Sequence, residues 1–178
     1  MVTYDRKVLV TNSNLPKIHF RILQLEDLSK FLEIRNSASK MLHDNSTFTL
    51  EECKNWFTSR RPTYYLVESL ELGIIGYFRW SLVDNKTKVV AIGLDLSPEF
   101  QGRKWAKDIY AKFAREVLKS NGFKVVELRV LKINTRAQNL YKDMGFLVYE
   151  ETDFDYSMKV DVDQILENLS VPNPRVEK

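Results

Sequence analysis

Gln101-Gly102-Arg103-Lys104-Trp105-Ala106 sits between a largely apolar run, Lys88 to Leu96, and an amphipathic stretch from Lys104 to about Ser120. The run reads as a buried central strand, and Pro98 stops it. The stretch reads as a helix. Ala106, Ile109, Tyr110, Phe113, Val117 and Leu118 recur at spacings of three and four, and Gly122 stands where a C-terminal cap belongs. The hexapeptide therefore enters a helix N-terminus, whose free N–H groups and partial positive charge suit a phosphate. Taken alone, a plain strand-to-helix turn accounts for it as well. About thirty residues on, Asn134-Thr135-Arg136-Ala137-Gln138-Asn139-Leu140-Tyr141-Lys142-Asp143-Met144-Gly145-Phe146 follows a second strand, Val125 to Ile133. Asn134 can cap a helix with Ala137, Leu140, Tyr141 and Met144 on its inner face, ended by Gly145.

Working outward, Ile18 to Leu23 alternates as a strand does, and Leu25 to Met41 reads as a helix with Glu26 and Asp27 in its first turn. Thr49 and Glu52 have capping-box spacing, so a second helix is expected from Leu50 to about Arg60, ended by Pro62. Tyr64 to Ser69 and Ile74 to Leu82 read as strands joined at Glu71-Leu72-Gly73, and Asp84-Asn85-Lys86 is a hairpin turn. Phe146 to Tyr149 starts a further strand. Phe154, Tyr156, Met158 and Val160 alternate in the last one, and a short helix is expected over Asp163 to Leu169. Val8-Leu9-Val10 could add an edge strand. Residues 1–16 otherwise read as an N-terminal extension and 170–178 as a loose tail, so a single domain spans 1–178.

The 178 residues suffice for one domain with a real core, and 44% hydrophobic with 29% charged is a globular composition. Net charge is +3, with both signs mixed along the chain, so no nucleic-acid footprint is expected. Single Cys53 excludes an intramolecular disulfide, and His19 and His43 are too few for a histidine-rich metal site. No apolar stretch approaches the roughly 20 residues of a membrane span, and no signal peptide is evident. A soluble cytoplasmic protein is expected, without metal.

Together the two segments resemble the coenzyme site of the GCN5-related N-acetyltransferase (GNAT) family. The resemblance implies a mixed α/β fold, with a central twisted sheet of about seven strands flanked by helices on both faces. It also implies an enzyme that uses acetyl-CoA and passes the acetyl group directly to an amine in a ternary complex. In the family a loop of pattern Gln/Arg-x-x-Gly-x-Gly/Ala wraps the pyrophosphate. Gln101, Gly102, Arg103, Lys104, Trp105 and Ala106 hold that position, with Lys104 where the middle glycine belongs. The segment Gly93-Leu94-Asp95-Leu96 corresponds to the strand that splays from its neighbour, so Leu94 and Leu96 are expected beside the acetyl thioester. Asn134 and Ala137 match coenzyme-binding positions, and Tyr141 matches the tyrosine that protonates the leaving thiolate. The plainer reading of Tyr141 is packing with Leu140 and Met144. For the proton-accepting base, Glu68, Asp95, His43 and Glu127 are candidates, with Asp95 first. Cys53 has no adjacent base and is not expected to carry the acyl group.

Leu32-Glu33-Ile34-Arg35-Asn36, followed by Thr49 to Phe57, resembles the acceptor region of acetyltransferases acting on nucleotide-linked amino sugars. That resemblance implies a pyrophosphate contact for Arg35, a neighbouring role for Asn36, and Tyr77 or Trp80 stacked on a base or sugar. The alternative is that Arg35 is a helix-end ion-pair partner while Trp56 and Phe57 are core. A protein or peptide N-acetyltransferase is the second reading within the class. A non-catalytic acyl-CoA-binding regulator, favoured by Lys104, is the reading outside it. Either a monomer or a homodimer fits.

Overall fold

Seven strands and five α-helices form among the residues described by the computed structural model, 14–170. In chain order they are β1 (Ile18–Ile22), α1 (Leu28–Ala38), α2 (Leu50–Arg60), β2 (Tyr65–Ser69), β3 (Gly73–Asp84), β4 (Val89–Leu96) and α3 (Ala106–Phe113). There follow β5 (Val125–Leu131), α4 (Thr135–Asp143), β6 (Leu147–Glu151), β7 (Asp155–Asp161) and α5 (Val162–Ser170). α3 continues through a wider π-type turn over Ala114–Lys119, which carries its apolar face on to Val117 and Leu118. The edge strand expected at Val8-Leu9-Val10 and most of the expected tail lie outside the described residues. No helix among the described residues is long and apolar enough to cross a membrane.

Local chemistry sets the boundaries. Thr49 closes the capping box of α2: its hydroxyl accepts from the Glu52 N–H at 3.3 Å, while the Glu52 carboxylate accepts from the Thr49 N–H at 2.7 Å. α1 starts later than its periodicity implies. Leu25–Asp27 forms a 3-10 turn, because the Asp27 carboxylate accepts from the Gln24 N–H at 2.9 Å and is also held by Arg21. That arginine bridges Asp27 at 2.7 Å and Glu68 at 2.7 Å, tying β1 and β2 to the entry of α1. Hydrogen bonds from Arg21 are the largest influence holding both carboxyls below their ordinary range. A lowered folded-state pKa stabilises above the unfolded value and is lost as pH falls through the folded one. Wild-type melting temperature is therefore expected to fall more steeply from about pH 5 to pH 3 than that of Arg21→Ala, in which both carboxyls titrate near their unfolded values of about 4.

The strands form one sheet in the order β1-β2-β3-β4-β5-β7-β6. β4 and β5 pair parallel and the other neighbours pair antiparallel. One face packs Val67, Ile75, Phe78 and Val90 against Ile109, Phe113 and Leu118 of the α3 helix. The other packs Leu66 and Tyr77 against Leu28, Phe31 and Ile34 of α1 and Cys53 of α2. The parallel pair is short, with only Val89, Val90 and Ala91 opposite Val125, Val126 and Glu127. β4 runs on to Leu96 and β5 to Leu131 without pairing again. A wedge therefore opens between them in the middle of the sheet, and the backbone of Ile92 to Leu96 borders it.

Candidate active site

Three groups converge at the wedge. The first is the loop from β4 to α3. Trp105 caps α3 without a side-chain hydrogen bond, so the first N–H groups of the helix keep no side-chain acceptor. Gly102 has φ +79° and Lys104 φ +63°. The backbone of Lys104 thus keeps the left-handed conformation of the glycine it replaces, at a cost of order 1–2 kcal/mol for an L-residue. Gln101 Nε2 donates to the Leu96 carbonyl at 3.0 Å, and Arg103 Nε donates to the Glu99 carbonyl at 3.1 Å. The Arg103 guanidinium covers the stacked rings of Phe100 and Trp105. Trp105 is therefore a core side chain, and its backbone is the part this loop can offer a ligand. Lys104→Gly is expected to raise stability by up to about 1 kcal/mol, since relief of strain exceeds the entropy cost of glycine. Lys104→Ala keeps the strain and is expected to leave the urea midpoint unchanged.

The second group is the start of α4. The Asn134 side chain accepts from the Ala137 N–H at 3.1 Å, as an N-cap should. Gln138 Nε2 donates to the carbonyls of Leu131 at 3.1 Å and Lys132 at 2.8 Å, fixing the helix to the end of β5. Sequence reasoning passed over Gln138 because its partners are backbone atoms. Tyr141 is 8% exposed and meets Tyr110 of α3 edge-on, with 3.5 Å between the two hydroxyls. Burial pushes the Tyr141 phenol up, against smaller lowering influences from Tyr110 and Arg79. Tyr110 is raised further, chiefly by burial, and the Leu94 backbone amide acts on its oxygen. Both phenols keep their protons at neutral pH.

The third group is a cavity of about 490 Å³ between α1, α2 and the sheet. Its walls include Phe31, Phe48, Trp56, Tyr64 and Tyr77, with Arg79 among the lining residues. Tyr77 stands opposite Asp95 and Arg79 opposite Gly93 across β3 and β4. Arg79 Nε lies 3.1 Å from Asp95 Oδ2, but the N–H is not aimed at it, so the pair is ionic without an aligned hydrogen bond. The Tyr77 hydroxyl is buried and has no hydrogen-bond partner. The Arg79 charge also acts on Tyr110 and Tyr141, which couples the cavity to the wedge. Burial raises the Cys53 thiol, so this cavity residue is a poor nucleophile.

The expected acceptor residues fall in different surroundings. Arg35 is 11% exposed, donates to the carbonyls of Ser46 and Asp44, pairs with the Asp44 carboxylate at 3.2 Å and lies over Phe48. Asn36 exchanges two hydrogen bonds with the Phe48 backbone, at 2.9 and 3.1 Å. This Arg-Asn pair clamps the loop 42–48 onto α1, and Arg35 also lines the cavity between α1 and α2. Trp80 faces the other side of the sheet, against Tyr65, Phe113 and Phe123. Strand parity allows Tyr77 or Trp80 to face the cavity, not both, and Tyr77 does.

A family model described as Acetyltransferase (GNAT) family matches residues 28–146. The fold is similar to a mutant of spermidine N-acetyltransferase SpeG from Vibrio cholerae, with a TM-score of 0.70 at 16% identity over 84% of this chain and 96% of that one. It is similar also to yncA from Salmonella typhimurium, a structure that contains its cofactor acetyl-CoA, with a TM-score of 0.64 at 16% identity over 83% and 95%. An N-acetyltransferase from Staphylococcus aureus Mu50 gives a TM-score of 0.65 at 14% identity over 82% and 99%. No curated protein matches the sequence significantly. At these identities the likeness to solved structures is one of fold.

Proposed function

The chain belongs to the GNAT family of acetyltransferases, and on that premise we propose that it acetylates the amine of a nucleotide-linked amino sugar bound in the aromatic cavity. It is an acetyl-CoA-dependent N-acetyltransferase. The observation that carries the acceptor reading is the cavity itself. Its size suits a small molecule, and its ring faces suit a sugar or base. The solved relative SpeG acetylates spermidine, a polycation. The lining sets Arg35 and Arg79 against Asp44 and Glu52, so the cavity offers no excess of carboxylates to hold a polycation. That balance disfavours a polyamine.

The residues fit the donor. Uncapped N–H groups at the start of α3, together with Gly102 and Lys104 in left-handed conformation, can cradle a pyrophosphate, and the wedge beside Leu94 and Leu96 can admit an extended chain. In this reading Asn134 and Ala137, at the start of α4 directly after β5, also contribute to the coenzyme site. When bound, acetyl-CoA supplies the acetyl thioester that the amine attacks. In this reading the backbone N–H groups of Leu94 and Leu96 polarise the thioester carbonyl: Ser97 N–H bonds to Ile75 on β3, so by alternation those two point toward the wedge. Arg79 disfavours the ammonium form of an amine in the cavity, which keeps more of it nucleophilic. Tyr141 holds the proton that a departing thiolate needs.

The test is calorimetric titration with acetyl-CoA, followed by thiol release over uridine-diphosphate-linked amino sugars, free amino sugars, spermidine and peptides. The highest kcat/KM is expected with a nucleotide-linked amino sugar. A preference for spermidine or peptides would overturn the acceptor assignment, and binding without turnover would favour a regulatory acyl-CoA module.

A further inference from the structure

The geometry points to His43, oriented by Asp155, as the group that takes the proton from the attacking amine. His43 lies in the loop between α1 and α2 and lines the aromatic cavity together with Tyr77 and Arg79. Its Nε2 stands 3.0 Å from Asp155 Oδ2, 112 residues away on β7. The His43 side chain is 35% exposed and that of Asp155 only 4%. Two further bonds fix the Asp155 carboxylate, from Arg129 to Oδ2 at 2.5 Å and from the Thr152 hydroxyl to Oδ1 at 2.9 Å, and the Asp155 backbone N–H reaches back to Thr152 Oγ1 at 3.1 Å. Burial alone would raise the Asp155 carboxyl, but the bonds from Thr152, Arg129 and His43 outweigh it and keep the group ionised. A fixed carboxylate on Nε2 selects the tautomer with the proton there. Nδ1 is left as the ring atom available to a ligand in the cavity.

Asp95 is the weaker candidate for this role. Its carboxylate sits against the Arg79 guanidinium and balances that charge, and Asp95 is not among the residues that line the cavity. The inference rests on the acetyltransfer reading above. In that reaction the amine nitrogen forms its bond to the acetyl carbon as the carbon–sulfur bond breaks. The nitrogen's proton passes to His43 Nδ1, and the thiolate takes one from Tyr141. His43 then returns its proton to solvent and Tyr141 is refilled from solvent, so the products are the amide and the free thiol.

The decisive variant is His43→Ala, assayed with whichever amine of the panel above turns over. Expected are a fall in kcat of about 10²-fold or more, an unchanged acetyl-CoA dissociation constant and recovery of turnover on adding imidazole. Asp155→Asn should lower kcat with little change in KM. A loss that imidazole does not restore, or a change confined to the acceptor KM, would reduce His43 to a strut between loop and sheet. An imidazole-rescuable Asp95→Gly would instead identify Asp95 as the base. A substrate-independent readout is nitrogen-15 NMR of the imidazole rings, simple in a chain with two histidines. It should show His43 protonated on Nε2 with bare Nδ1 at pH 8, and an imidazolium there would overturn the inference. Failure of every amine to turn over, with that tautomer present, would sink the acetyltransfer reading and leave the His43 geometry standing.

Discussion

Tyr141→Phe is expected to lower kcat by about 10²- to 10⁴-fold, the usual contribution of a positioned general acid. The acetyl-CoA dissociation constant should stay within about twofold. The ring does the packing: it meets Tyr110 and Phe146, and phenylalanine keeps both contacts. Only the hydroxyl is lost, and with it a 3.5 Å contact to the Tyr110 hydroxyl that is too long to contribute much to stability. A melting temperature close to wild type therefore goes with the catalytic loss. Because burial holds the phenol above its ordinary value, the proton is present throughout the neutral range. Equal turnover of wild type and variant, measured as thiol release, would leave Tyr141 the packing residue that its place on the inner face of α4 also allows. Tyr110→Phe provides the contrast. It removes the neighbouring hydroxyl from a fully buried position and should lower kcat less, since Tyr110 reaches the wedge through Tyr141 and the Leu94 amide.

What was legible in the chain followed how local the cause was. The Thr49–Glu52 box set the start of α2, and the spacing of Ile109, Tyr110 and Phe113 announced the inner face of α3. The loop hexapeptide was readable as well, and Lys104 keeps the glycine backbone that its identity seemed to deny. Long-range pairings were not legible. Arg35 and Asn36 look like ligand-binding groups because their partners, Asp44, Ser46 and Phe48, lie in a loop whose path no periodicity reports. The choice between Tyr77 and Trp80 depends on which face of β3 receives α1 and α2, and alternation alone is symmetric in that respect. His43 and Asp155 are joined only by the closure of the whole sheet. Gly93 carried no turn signal, because its role is to leave room for a side chain on the next strand.

That role yields the second large effect, by contrast with Gly76. A Cβ on Gly76 would lie 2.5 Å from the Asp95 carbonyl oxygen and 3.1 Å from the Leu96 Cα. Both are backbone atoms of β4, so the strands themselves must separate. Gly76→Ala is expected to cost about 2–3 kcal/mol, as overpacking does, and to weaken acetyl-CoA binding, because the displaced stretch borders the wedge. A Cβ on Gly93 would instead meet the Arg79 guanidinium, at 2.6 Å from Nη2 and 3.0 Å from Cζ. That group is the end of a flexible side chain, 38% exposed on the cavity, and it can move away. Gly93→Ala should therefore cost little in stability and leave acetyl-CoA binding near wild type. It should shift Arg79 off Asp95 and lower kcat/KM for the acceptor by about tenfold, the equivalent of roughly 1.4 kcal/mol. Urea midpoints for both variants, set beside coenzyme titrations and acceptor kinetics, separate the two. If Gly93→Ala unfolded the protein as Gly76→Ala should, the Arg79 side chain would be a rigid strut of the sheet and not an adjustable wall of the cavity. If it left acceptor kinetics untouched, the charge on Arg79 would have no part in acceptor binding or in the state of the amine.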